Sequence, residues 1–220
     1  MSSQAVKAQV TENKINSLIV NMGLKVDEAV GQAITGLLQT RSHVVAGVME
    51  NAVAVQELES SIDHVILSAV EQGELPASDT RRITSLVNIS KDMSRLGKLA
   101  ANLGRKVSEV GKHNDHEDFS SLQPLAIAVS HLCRKTLRSL AKLDLVLARN
   151  AAAGGTTVDP YRDYVLRRRN SFNSDEQNLH LVFASRCLEQ IADHTIHLAE
   201  NLVTFLESES YIERRQAVAS

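Results

Sequence analysis

Residues 79–110 read DTRRITSLVNISKDMSRLGKLAANLGRKVSEV, with apolar side chains at Leu86, Met93, Leu96, Ala100, Leu103, Val107 and Val110. The steps between them are 7, 3, 4, 3, 4 and 3. That alternation follows one stripe of an α-helix and makes the seam of a bundle or coiled coil. At 1.5 Å per residue such a helix is about 50 Å long. Residues 174–207 keep the same rhythm at Leu188, Ile191, Thr195, Leu198, Leu202 and Phe205. Their opening, Ser174-Asp175-Glu176-Gln177, fits a capping box.

The breaks divide the rest of the chain. In QGELPASD (72–79), Gly73 suits a helix C-cap, Pro76 prevents continuation, and Ser78 or Asp79 can cap the next helix. The polar run GKHNDHEDFSS (111–121) reads as a linker between two halves. Gly154 and Gly155 are expected to cap a helix over 122–152, and 157–171 reads as a shorter helix. Residues 6–72 are too long for one helix and divide near Gln39 to His43. The expected fold is all-α: two tandem antiparallel three-helix bundles, at 1–112 and 121–209, with a linker at 113–120 and a tail at 210–220. Ser94–Leu103 and Glu189–Leu198 align in their apolar positions, with small residues at Gly97 and Ala192, which points to a duplicated unit.

Composition narrows the function. Among 220 residues there are three prolines, ten glycines and no tryptophan, and aromatics are 3%, which disfavours a β sandwich or barrel. A net charge of -2 and few aromatics argue against nucleic-acid binding. No apolar run has membrane-spanning length and the N-terminus lacks a signal-peptide core, so direct membrane insertion is not expected and the cytoplasm is the expected location. Cys133 and Cys187 form no CxxC and read as buried reduced thiols. The motifs of nucleophilic hydrolases, P-loops and dinucleotide sites are absent from the sequence, so nucleophilic catalysis finds no support there.

The chemistry on offer is acidic. Glu189 and Asp193 lie four apart on one helix face, and His197 and Glu200 follow. Two carboxylates at that spacing repel unless a cation joins them, and oxygen ligands suit hard cations and iron. Asp159 and Asp163 repeat the spacing, and Asp144 reads as a mid-helix acid in the apolar segment LAKLDLVLA. The bland alternatives are a solvated acidic face, a basic partner from a neighbouring helix, and a helix-dipole role for Asp159. His194 and His197 read as ordinary surface or partly buried histidines.

The segment Leu188-Glu-Gln-Ile-Ala-Asp-His-Thr-Ile-His-Leu-Ala-Glu200 resembles the signature of the PhoU family of phosphate-uptake regulators. Leu75-Pro-Ala-Ser-Asp-Thr-Arg-Arg82 and Ile89-Ser-Lys-Asp92 resemble that family's turn and the start of its first signature helix. The resemblance implies paired three-helix bundles. It also implies a non-enzymatic regulator that binds phosphate transporter components and a sensor histidine kinase; separately, seams as long as those of 79–110 and 174–207 can pair between chains, so a homodimer is expected. It further implies a metal ion (iron, zinc, manganese or magnesium) held in the second bundle by Glu189, Asp193, Asp144, Asp159 and Asp163. The first half departs from the pattern, because Ser94 and Lys98 stand where two acids belong, so at most one metal site is expected. Two other readings stay open: a metal-binding helical bundle, and a PhoU-like accessory domain of a sodium–phosphate cotransporter.

Overall fold

A computed structural model describes residues 3–39, 45–74, 80–112, 119–156, 158–161, 163 and 175–208. The helices are α1 (Ser3–Gln39), α2 (Val45–Glu71), α3 (Thr80–Lys112), α4 (Gln123–Lys142), α5 (Leu145–Ala152) and α6 (Asp175–Leu206). A 3-10 turn at Phe119–Leu122 leads into α4, and residues 155–156, 158–161 and 163 are also helical. No strand occurs among the described residues. The expected division of 6–72 holds, since α1 ends at Gln39 and α2 begins at Val45. Ser174 of the capping box, residues 113–118 of the linker and all of the 210–220 tail lie outside what is described.

The described seam positions are buried, Val110 lying outside the residues whose burial is described. Leu86, Met93, Leu96, Ala100, Leu103 and Val107 of α3 all face the core, as do Leu188, Ile191, Thr195, Leu198, Leu202 and Phe205 of α6. Thr195 is accommodated because its hydroxyl donates to the Ile191 carbonyl at 2.6 Å. Helices α1, α2 and α3 pack on one another, and α4 and α5 pack on α6. The two groups then join along α1–α4 and, most extensively, α3–α6, so their apolar side chains form one continuous core.

Contacts along each seam set the directions. Thr11 of α1 reaches Glu74 just beyond α2 at 2.6 Å, so α1 and α2 run antiparallel. Asp27 of α1 faces Arg134 of α4 at 3.7 Å, while Gly23 lies against Leu137 and Leu140, again antiparallel. Asn88 meets Asn201 and Lys106 lies over the Phe183 ring, so α3 and α6 are antiparallel as well. First helix against first and third against third, each reversed, is how a two-fold relation between two duplicated units would place them.

The helix expected over 122–152 is broken. Leu143 adopts φ 50°, ψ 43°, and Asp144 N–H donates back to the Ser139 carbonyl at 3.0 Å, closing a Schellman-type end. Asp144 is therefore not a mid-helix acid. It is the N-cap of α5, its carboxylate accepting the Leu147 N–H at 2.9 Å. A carboxylate that caps an orphan backbone donor needs no cation to justify its place in an apolar segment.

Two glycines have distinct reasons. Gly73 has φ +70° and ends α2 as expected, with Glu74 N–H bonded to the Ala69 carbonyl. Gly154 instead permits a close approach: a Cβ there would lie 2.4 Å from Leu132 Cδ1 and 2.7 Å from the Ala151 carbonyl oxygen. Gly154→Ala is expected to destabilise the protein by about 1–3 kcal/mol, the usual cost of overpacking. The urea midpoint at constant m-value reads it.

Cys133 and Cys187 are free and buried. Burial raises the Cys133 thiol to about 12, helped by the nearby Asp27 charge, and burial alone raises Cys187 to about 11. A folded-state value above the unfolded one, 9.0, means the unfolded chain ionises first. The thiols' contribution to stability is thus intact below pH 9 and is lost as pH rises through about 11 and then 12. A thiol reagent at pH 8 is expected to label neither cysteine in the native protein and both in urea.

Candidate functional site

The α3–α6 seam is apolar along most of its length, and one polar network interrupts it. Asp92 of α3 sits at the centre, its side chain 14% exposed. His194 Nδ1–H of α6 donates to Asp92 Oδ1 at 3.1 Å, and Asn201 Nδ2 donates to Asp92 Oδ2 at 3.0 Å. Asn88 of α3 donates in turn to Asn201 Oδ1 at 3.4 Å. His197 lies one turn beyond His194, with the rings edge to face and centroids 5.8 Å apart.

Helical geometry explains how α6 supplies these side chains. Residues three or four apart share a face, so His194, His197 and Asn201 all lie along the side turned toward α3 at this level. Asp92 comes from the other half of the chain. Among the described residues, one group of three or more metal-ligating side chains converges, Asp92, His194 and His197, with ligand atoms within 4.8 Å of one another.

The sequence-predicted acids are placed differently. Glu189 is half-buried and Asp193 exposed on α6, and each has an interaction partner. Asp144 caps α5, while Asp159 and Asp163 are exposed. None of the five belongs to the converging group. In the first half, Ser94 is buried and Lys98 exposed, so the matching positions there offer no carboxylate. The residues that do converge include two histidines set aside on sequence grounds as ordinary. The pair at i, i+3 was visible in the sequence, whereas Asp92 lies 102 positions away from His194 and only the packing of α3 on α6 brings it in.

Residues 19–107 match the family model described as PhoU domain. That stretch carries a PhoU domain, and the whole chain resembles PhoU proteins. It is 25% identical over 210 residues to the "Phosphate-specific transport system accessory protein PhoU homolog" of Xylella fastidiosa (strain Temecula1 / ATCC 700964), covering 93% of this chain and 87% of that protein. The Pseudomonas putida protein of the same description is also 25% identical over 210 residues, covering 93% of this chain and 81% of its own length. Among solved structures, PhoU from Pseudomonas aeruginosa superposes with a TM-score of 0.81 at 22% identity, over 90% of this chain and 97% of that one. The phosphate transport system regulatory protein PhoU from Streptococcus pneumoniae gives a TM-score of 0.74 at 18% identity, over 91% and 97%. The PhoU model covers the first half, which holds Ser94 and Lys98, and not the second half with the 188–200 segment. No described helix is long and apolar enough to cross a membrane.

Proposed function

We propose that this PhoU-like protein regulates phosphate uptake and phosphate-starvation signalling by contacts with other proteins, namely phosphate transporter components and a sensor histidine kinase. One observation carries the reading. Relatives named as accessory proteins of phosphate-specific transport align along 93% of the chain, not along one bundle alone. The fold supports it, since long helices with one buried stripe leave long polar faces for partners. The protein works in the cytoplasm, as a homodimer, and carries out no catalytic step of its own.

Co-purification tests the reading. The full chain, expressed at its native level and captured under phosphate-replete conditions, is expected to bring down a phosphate transporter subunit, a sensor kinase, or both. Recovery of neither, from cells shown to contain both, contradicts it. Recovery of a sodium–phosphate cotransporter in their place would favour the accessory role for that transporter class.

A further inference from the structure

We infer that Asp92, His194 and His197 form a binding site for a divalent first-row transition ion of the zinc type, bridging the two halves of the molecule at the α3–α6 seam. Two imidazoles and one carboxylate favour such ions over magnesium or calcium, which prefer all-oxygen shells. The distances fit. Two ligands each 2.0–2.1 Å from a tetrahedral ion stand roughly 3.3 Å apart, and Asp92 Oδ1 and His194 Nδ1 are already 3.1 Å apart. All three ligand atoms lie within 4.8 Å of one another, so small side-chain rotations suffice to gather them.

The surroundings prepare the carboxylate. Asn201 holds Asp92 Oδ2, and Asn88 holds Asn201, so Asp92 Oδ1 is fixed in orientation by a chain of side-chain hydrogen bonds. Partners of this kind orient a metal ligand and sharpen its affinity. His197 is exposed, which gives an ion a route in from solvent and leaves coordination positions for water or a partner's side chain. Because one ligand comes from α3 and two from α6, binding clamps the halves together and stabilises the folded state by mass action. The site is separate from Glu189 and Asp193, and it stands whether or not the regulatory reading does.

The test uses the full chain without a histidine tag, stripped by chelator and then titrated with cobalt(II), which reports tetrahedral nitrogen and oxygen ligation by its visible absorption. Melting is measured in parallel with zinc(II). One equivalent of cobalt is expected to saturate the absorption, and zinc to raise the melting temperature. His197→Ala, an exposed change that leaves the fold intact, is expected to weaken cobalt binding at least tenfold, in line with the roughly 10–100-fold cost of losing even an outer partner. It should also abolish most of the zinc-dependent melting shift. Glu189→Ala with Asp193→Ala is expected to change neither. Absence of saturable cobalt absorption, equal affinity in His197→Ala, or loss confined to the Glu189 and Asp193 variant overturns the proposal.

Discussion

Arg82→Met is expected to lower the unfolding free energy by about 3–5 kcal/mol. Arg82 is 3% exposed and Glu12 is 8% exposed, and Arg82 Nη1 donates to Glu12 Oε1 at 2.5 Å. Removing the guanidinium leaves the Glu12 carboxylate in the interior between α1 and α3 without the Arg82 counter-charge. The cost comes from the buried charge that remains more than from the lost attraction, so the pair is worth less than its breakage suggests. Replacing both residues, Arg82→Met with Glu12→Met, is therefore expected to recover most of the loss. Urea unfolding of the two single variants and the double variant checks this. A loss of only about 1 kcal/mol for Arg82→Met, the value of an exposed pair, would show that the ion pair is open to water.

Phe205→Ala is expected to cost about 3–5 kcal/mol, as large aromatic truncations in packed cores do. Phe205 is 1% exposed and is one of the largest fully buried side chains of the protein. Its ring also carries the Arg82 guanidinium, whose Cζ lies 5.3 Å from the centroid. The two predictions are thus coupled. In a double-mutant cycle the cost of Arg82→Met should shrink in the Phe205→Ala background, by about 0.5–2 kcal/mol for a desolvated cation over a ring. Strict additivity would mean that the stacking contributes nothing. A loss near 1 kcal/mol for Phe205→Ala alone, ordinary for a point mutation, would mean that the end of α6 is loosely packed.

Both residues show where the sequence could and could not be read. The stripe positions of α3 and α6 were legible because a periodic apolar pattern reports which face is buried. It does not report against what. Arg82 sits two residues into α3, where a charged side chain ordinarily faces water, and only the meeting of α1, α3 and α6 makes it interior. The break at Leu143 was hidden for a similar reason. A left-handed helix end usually announces itself with glycine, as Gly73 does, and a leucine at φ 50° gives no such signal. Without that break, Asp144 reads as a mid-helix acid, whereas its cap role follows at once from the start of α5.

The candidate site was legible in half. His194 and His197 share a helix face, which spacing alone establishes, yet two histidines at i, i+3 carry little weight without a third ligand. Asp92 supplies it from the other half of the chain, through the antiparallel packing of α3 on α6. The acidic pair Glu189 and Asp193 was prominent in sequence because both residues lie on one helix, and the same locality says nothing about whether a third group meets them. The resemblance was likewise clearest to the eye at 188–200, whereas the family model matches residues 19–107.

We propose that this chain restrains phosphate uptake through other proteins. Uptake of labelled phosphate in a deletion strain grown with ample phosphate tests it most directly. Faster uptake in the deletion strain, returned to normal by a plasmid copy of the gene, is the predicted result. Uptake that is the same with and without the gene, at both high and low phosphate, would contradict it.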